Sequence, residues 1–399
     1  MVELNWGLIG GGEGSQIGPV HRMAARLDGE FSLVAAALDH VPDAGREFAV
    51  RLGIPAERAY GDWEEMLARE SSLGDVDRLD LVTVATPNST HYEITRRILE
   101  SGFNVLCEKP MTMTVSEAAG IVETVKSTGC ICAVNYGYSG YPLVRQMRAM
   151  VRQGVLGRVR LVVVEFAHGH HSAGDDRDNP RVRWRYDPSQ VGVSAQFTDC
   201  GIHALHLATF VTGRDVLRLA SDFASCVDGR ELEDDAQVDF RLEDGIVGRL
   251  WTSAIAVGRQ HGLTIQVFGE RGGLRWAQEQ ANQLFWTPVG GRTSTIERGE
   301  TGLAPETERA SRVAVGHVEG MPLAFANIYT ELSRAIRSMK AGNGDVGSAK
   351  NLDGSGYLYP SAEDGMRSVV AIHAAVLSAR ERGRWVELSD VEASALTGE

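Results

Sequence analysis

The feature that most constrains the fold is a regular alternation in the first third of the chain. Short apolar runs at WGLIGGG (6–12), FSLVAAALD (31–39), LDLVTVATP (79–87), FNVLCEK (103–109) and CICAVNY (130–136) are separated by stretches with helical spacing. The spacing predicts helices over 17–27, 43–52, 63–70, 91–102 and 115–129, with Asp62 and Ser116 as N-caps and Gly102 and Gly129 closing two of them. Strand and helix in strict turn, joined by short links, give a parallel sheet covered on both faces. Ligands of such sheets sit at the carboxyl ends of the strands. That places Gly10–Gly12, Asp39, Thr86–Asn88, Glu108–Lys109 and Asn135 along one rim.

After Asn135 the alternation stops. A helix over 142–153 is followed by segments with period-2 patterning at 159–168, 216–225, 235–243, 245–254 and 261–270, the signature of a half-buried antiparallel sheet. Residues 288–320 are polar and read as a long surface excursion, and 343–356 reads as a loop. Helices are expected over 324–342 and 361–383. At 399 residues the chain is too long for one ordinary core. The expected division is an α/β Rossmann domain over 1–134 and an α+β domain over 135–399, built on a large, mainly antiparallel open sheet.

A net charge of −13 argues against a nucleic-acid partner. No window approaches the ~18 apolar residues that span a bilayer. The odd count of five cysteines, with no CxxC pair, and the lack of a cationic leader point to a reducing cytoplasm.

GGGEGSQIG (10–18) joins the first strand to the first helix. Glycines at such a turn let the backbone approach a pyrophosphate, and the helix start supplies N–H donors. The inserted Ser15 and Gln16 leave the third glycine role to Gly14 or Gly18. Asp39 ends the second strand, where a carboxylate accepts from ribose hydroxyls and repels a 2′-phosphate. That favours NAD; the plain alternative is that Asp39 caps a turn, and His40 beside it keeps NADP open. NVLCEKPMT (104–112) ends a buried strand in Glu108, Lys109 and Pro110, either a structural ion pair or a reactive amine held in place. In QFTDCGIHALHLATFVTG (196–213), Asp199 and His203 are four apart and expected to meet on one helical face, with His206 as packing. The plain alternative is a satisfied core histidine. HGHH (168–171) raises metal binding, but no cysteine or spaced carboxylate completes a site.

LIGGG, VATPNSTHYEI, LCEKPMT, VNYGY and Asp199-x-Gly201-x-His203, in this order, resemble the glucose–fructose oxidoreductase / inositol dehydrogenase / MocA (Gfo/Idh/MocA) family over the whole chain. GGGEGSQIGPVHR and GHVEGMPLAFANIY resemble its longer branch, which includes levoglucosan dehydrogenase. The resemblance implies a dinucleotide held by Gly10, Gly12, Gly14, Ser15, Ile17, Asp39, Thr86, Pro87, Asn88, His91, Glu108, Lys109, Asn135 and Arg185. It implies a substrate site at Lys109, Tyr136, His168, Trp184, Asp199, His203 and His317. Lys109, Asp199 and His203 are then the catalytic groups, with either Lys109 or His203 as general base. The implied reaction is NAD-dependent oxidation of a secondary hydroxyl on a sugar, anhydrosugar or inositol. An NAD-dependent glycosidase working by transient oxidation and a non-catalytic sugar sensor are the alternatives. A homodimer or homotetramer through the second sheet is expected.

Overall fold

The computed structural model describes residues 2–173, 183–342 and 356–397. Five strands, β1 (Leu4–Gly10), β2 (Phe31–Ala37), β3 (Leu81–Ala85), β4 (Asn104–Cys107) and β5 (Cys132–Val134), form a parallel sheet in the order β2-β1-β3-β4-β5. Helices α1 (Gly18–Arg26), α2 (Pro42–Arg51), α3 (Trp63–Glu70), α4 (His91–Glu100) and α5 (Val115–Thr128) cover its faces. The strand runs are apolar on both sides because both sides are covered; Val105, Leu106 and Cys107 have no exposed surface. The order reverses at β1, so the crevice for a ligand opens between the ends of β1 and β3. Asp62 caps α3 as the sequence suggests, by accepting from the Glu65 N–H. The cap of α5 is Thr114 rather than Ser116: Thr114 and Glu117 close a reciprocal capping box, which uses the backbone two residues earlier.

After α6 (Pro142–Arg152) come β6 (Val159–Ala167), α7 (Pro188–Val191), a π-helical turn (Phe197–Gly201) and α8 (Ile202–Thr212). Seven strands follow: β7 (Val216–Ala224), β8 (Asp235–Leu242), β9 (Val247–Ser253), β10 (Thr264–Gly269), β11 (Gly272–Ala277), β12 (Gln283–Pro288) and β13 (Ser294–Glu297). With β6 and β14 (Val386–Glu387) they build a nine-stranded sheet in the order β13-β12-β11-β10-β6-β9-β8-β7-β14. Its pairs are antiparallel except β6–β9.

Helices α9 (Pro305–Ala310), α10 (Met321–Lys340), α11 (Ala362–Arg380) and α12 (Leu388–Thr397) complete the chain. The stretch 288–320 is more than a surface excursion. It carries β13 and α9, and Arg298 pairs with Glu319 at 3.0 Å with both side chains buried. The predicted loop at 343–356 lies outside the described residues up to 355. Helix α10 returns to the first sheet, where Phe325, Tyr329, Leu332 and Ile336 pack in one core with Trp6 and Phe31. Among the described residues no helix is long and apolar enough to cross a membrane.

Candidate active site

The carboxyl ends of the first sheet face β6, the β9–β10 loop and the start of α8 across a cleft of about 790 Å³. On the first side the glycine turn is built for close approach. A Cβ on Gly12 would stand 2.4 Å from the Leu38 carbonyl oxygen, and one on Gly18 only 2.1 Å from that of Gly11. Gly18 therefore makes the tight helix–strand contact, while Gly14 serves the loop with its φ of +81°. Ser15 Oγ accepts from the Gly18 N–H at 3.0 Å, and Ser15, Ile17 and Gly14 line the cleft. Gly10, expected in the cradle, is not among the residues lining the cleft; it packs on β3, where a Cβ would stand 2.4 Å from the Ala85 carbonyl oxygen. Asp39 does two jobs. Its Oδ1 accepts from the Val41 N–H at 2.9 Å, the capping role, while Oδ2 lies 3.5 Å from where a Cβ on Gly12 would be. A cradle that any side chain would fill, with an acid at its far end, fits a dinucleotide.

Further along the rim, Thr86, Pro87 and Asn88 line the cleft, with Asn88 Nδ2 donating to the Val191 carbonyl. His91 is pinned rather than presented. Its Nδ1 lies 2.7 Å from the Pro110 carbonyl oxygen and Nε2 2.9 Å from that of Thr86. Two carbonyls can only accept, so this geometry suits an imidazolium that donates from both nitrogens. Burial opposes this charge, but the adjacent Cys107 and the two carbonyls prevail and push its pKa up to about 9. His91 thus staples the Thr86 loop to the turn after Lys109.

Glu108 is equally committed: its carboxylate accepts from His21 Nε2 at 3.0 Å, from Asn135 Nδ2 and from the Lys109 backbone N–H at 3.2 Å. Burial works to raise its pKa, and the bonds from His21 and Asn135 hold it below the usual range. Lys109, ahead of a cis bond to Pro110, extends away from Glu108. Its Nζ donates to the carboxylate of Asp199 at 2.6 Å and to the Asp199 carbonyl oxygen at 2.7 Å.

Asp199 sits on the π-helical turn. Glu233 holds the entry to that turn, its Oε1 accepting the N–H groups of Ala195 and Phe197 at 3.0 Å each and the Ser194 hydroxyl at 2.6 Å. The wider π turn breaks the four-residue register, and the carboxylate of Asp199 is taken by Lys109 and, at 3.4 Å, by Arg185 Nε. The expected Asp199–His203 hydrogen bond is therefore not made. Burial pushes the Asp199 carboxyl up, but the ammonium of Lys109 and the guanidinium of Arg185 hold it far below the carboxylate range. Trp184 lies under the Arg185 guanidinium at 4.8 Å, and both line the cleft.

His203 also lines the cleft, edge-on to Tyr136 and Tyr138 at 5.6 and 4.8 Å. Its buried Nδ1 has no hydrogen-bond partner among the described residues. Burial first, then the Lys109 ammonium, push its pKa well below the imidazole range, so the ring is neutral. Beside it His168 Nδ1 accepts from the His170 N–H, and burial with His171 and His170 lowers its pKa to about 4. His168 and His170 stack at 5.0 Å.

Two expected substrate contacts fall elsewhere. Tyr136 is wholly buried behind the cleft, stacked on His206 at 4.2 Å, because the bend after β5 turns it inward. His317 is an exposed turn residue outside the cleft, and its carbonyl oxygen binds Arg298. The residues that sequence reasoning missed are Tyr138, Phe166 and His261, which line the same wall; Tyr138 Oη is 3.1 Å from His261 Nε2. Phe166 shares a strand face with His168, a period-2 signal that was legible. His261 carried no local signal.

Comparison with known proteins agrees with this arrangement. Residues 4–136 match the profile of the oxidoreductase family with an NAD-binding Rossmann fold, and residues 144–275 match the GFO/IDH/MocA C-terminal domain. The uncharacterized oxidoreductase YfiI of Bacillus subtilis (strain 168) is 34% identical over 96% of each chain. Levoglucosan dehydrogenase of Pseudarthrobacter phenanthrenivorans is 26% identical over 71% of this chain and 76% of its own. An inositol dehydrogenase homologue of Azotobacter vinelandii complexed with NAD+ is 38% identical, covers 96% of this chain and 97% of its own, and superposes with a TM-score of 0.91. Its complex with NADH and myo-inositol, at 37% identity over the same shares, gives 0.88. A dinucleotide cradle at the end of β1, a lysine–aspartate pair facing it, and family matches on both halves lead to one conclusion: the chain belongs to the Gfo/Idh/MocA family of NAD-binding oxidoreductases.

Proposed function

We propose that this oxidoreductase oxidises a secondary hydroxyl of an inositol, sugar or anhydrosugar. The observation that carries the reading is the Lys109–Asp199 pair at 2.6 Å, in the cleft that also holds His203 and the glycine turn. NAD, when bound, supplies the acceptor for the hydride that leaves the carbinol carbon.

Lys109 has three N–H groups and gives two to Asp199, which leaves the third for the reacting hydroxyl. The amine of Lys109, held by Asp199, stabilises developing negative charge on the substrate oxygen. His203, neutral, accepts the hydroxyl proton at a ring nitrogen. Between the two bases left open by the sequence, the ion pair favours His203. Arg185, bound to Asp199, fixes the carboxylate that orients Lys109.

In this reading residues 1–134 serve the dinucleotide and 135–399 the substrate, with Asp39 selecting NAD. The open face of the nine-stranded sheet joins copies into a dimer or tetramer in the cytoplasm. Purified protein with NAD or NADP and a panel of inositols, sugars, levoglucosan and glycosides tests the reading by absorbance at the NADH wavelength. Net reduction on a free polyol or sugar is the expected result. Aglycone release from a glycoside without net NADH, or dinucleotide binding with no turnover at all, would overturn it.

A further inference from the structure

Behind Glu108 runs a buried chain of hydrogen bonds that the reaction chemistry leaves unused. Trp6 Nε1 donates to Thr83 Oγ1 at 2.9 Å, Thr83 Oγ1 lies 2.9 Å from Tyr329 Oη, and Tyr329 Oη lies 2.8 Å from His21 Nδ1. His21 Nε2 then reaches Glu108 Oε1 at 3.0 Å. Trp6, Thr83 and His21 have no exposed surface, and Tyr329 has 1%.

The chemistry of the two ends fixes the direction of every bond between them. An indole N–H can only donate, and a carboxylate can only accept. Thr83 accepts from Trp6 and passes its own hydrogen to Tyr329; Tyr329 passes its hydrogen to His21 Nδ1; His21 carries its proton on Nε2 and gives it to Glu108. Run the other way, the Thr83 hydroxyl hydrogen has no acceptor in the chain, and His21 needs a second proton to keep its bond to Glu108. Only the first arrangement satisfies each donor in the core, where an unmet one is costly.

The elements joined are informative. Trp6 and Thr83 come from β1 and β3, His21 from the helix that follows the glycine turn, and Glu108 from the residue before Lys109. Tyr329 alone comes from α10, beyond the second sheet. Glu108, which can only accept, requires the His21 proton on Nε2, and Tyr329 supplies the hydrogen that Nδ1 accepts. Glu108 in turn accepts from the Lys109 backbone N–H and from Asn135.

We infer that Tyr329 is a positioning residue for Lys109, acting through His21 and Glu108, so that α10 completes the catalytic corner of the first sheet. The inference rests on Lys109 acting on the substrate, and the experiment separates the two. Nitrogen-15 spectra of histidine-labelled full-length protein report the His21 tautomer without reference to activity. The native protein should show His21 neutral with its proton on Nε2 and a hydrogen-bonded Nδ1, and Tyr329→Phe should shift the Nδ1 resonance as that bond is lost. In the same variant kcat should fall on the order of tenfold, the scale of one buried hydrogen bond, with the NAD dissociation constant unchanged. Thr83→Val, which removes the donor to Tyr329 and keeps the phenol, should move both readouts in the same direction and carries the test if Tyr329→Phe does not fold. A native His21 that is charged or protonated on Nδ1 would overturn the inference. So would a Tyr329→Phe enzyme that melts earlier yet keeps its kcat, because that is purely structural support. If Lys109→Ala is inactive while Tyr329→Phe is unaffected, positioning fails and the role of Lys109 stands. Full turnover in Lys109→Ala would mean that the reading beneath it has failed.

Discussion

The two sides of the cleft are made differently. On the strand-end side three groups are tied in place: Glu108 accepts three hydrogen bonds, His91 donates two, and Asp39 Oδ1 caps a turn. On the opposite wall His168 and His203 are neutral imidazoles with pKa values below the usual range, and His203 Nδ1 is left without a partner. A side whose carboxylates and histidine are already held suits a ligand that is bound the same way at each turnover. A side lined by neutral imidazoles suits a group that must take a proton. Lys109 stands at the seam, its backbone tied to the first side and its amine to the second.

The largest test removes the seam. Lys109→Ala should lower turnover by about 10³- to 10⁴-fold, the combined scale of charge stabilisation and hydroxyl activation, with little change in NAD affinity by titration. Comparable turnover in the variant would dissolve the distinction between the two sides. Asp39→Ser addresses the first side alone and should shift the NAD-to-NADP ratio of kcat/KM by about tenfold. An unchanged ratio would reduce Asp39 to the turn cap that its Oδ1 already is.

The two sides should also answer pH in opposite senses. His91 titrates at about 9 in the fold against 6.5 unfolded, so its contribution is full below 6.5 and disappears as pH rises through 9. The shift corresponds to on the order of 3 kcal/mol by linkage, and His91→Gln should flatten this alkaline loss in denaturant titrations. His168 is lowered to about 4, so its contribution is full above 6.5 and is lost as pH falls from there towards 4. His168→Asn should flatten the acid side instead. A single pH dependence common to both variants would contradict the contrast.

The same division explains what was legible in the sequence. The first sheet announces itself because its strands are buried on both faces and read as unbroken apolar runs, and its ligand-binding turns lie next to those runs. Motifs there are local: Gly12, Gly18, Asp39 and Glu108–Lys109 act within a few residues of their strands. The second side depends on distant residues. The π turn that separates Asp199 from His203 is held by Glu233, which no spacing rule connects to it. Arg298 and Glu319 hide a buried ion pair inside a polar stretch that composition alone assigns to the surface. His261 reaches the wall only because β10 pairs with β6. Tyr136 and Tyr138 were two residues apart, and the bend after β5 decided which of them faced the cleft.

The central claim is that one side binds the dinucleotide and the other performs the proton chemistry. Its most direct test is a pair of numbers measured on His203→Asn: the NAD dissociation constant by fluorescence titration and kcat on the best substrate of the panel. The account predicts an unchanged dissociation constant with kcat reduced by about 10²-fold or more, the scale of a lost general base. A variant that keeps its kcat, or that loses NAD affinity as steeply as turnover, would contradict it.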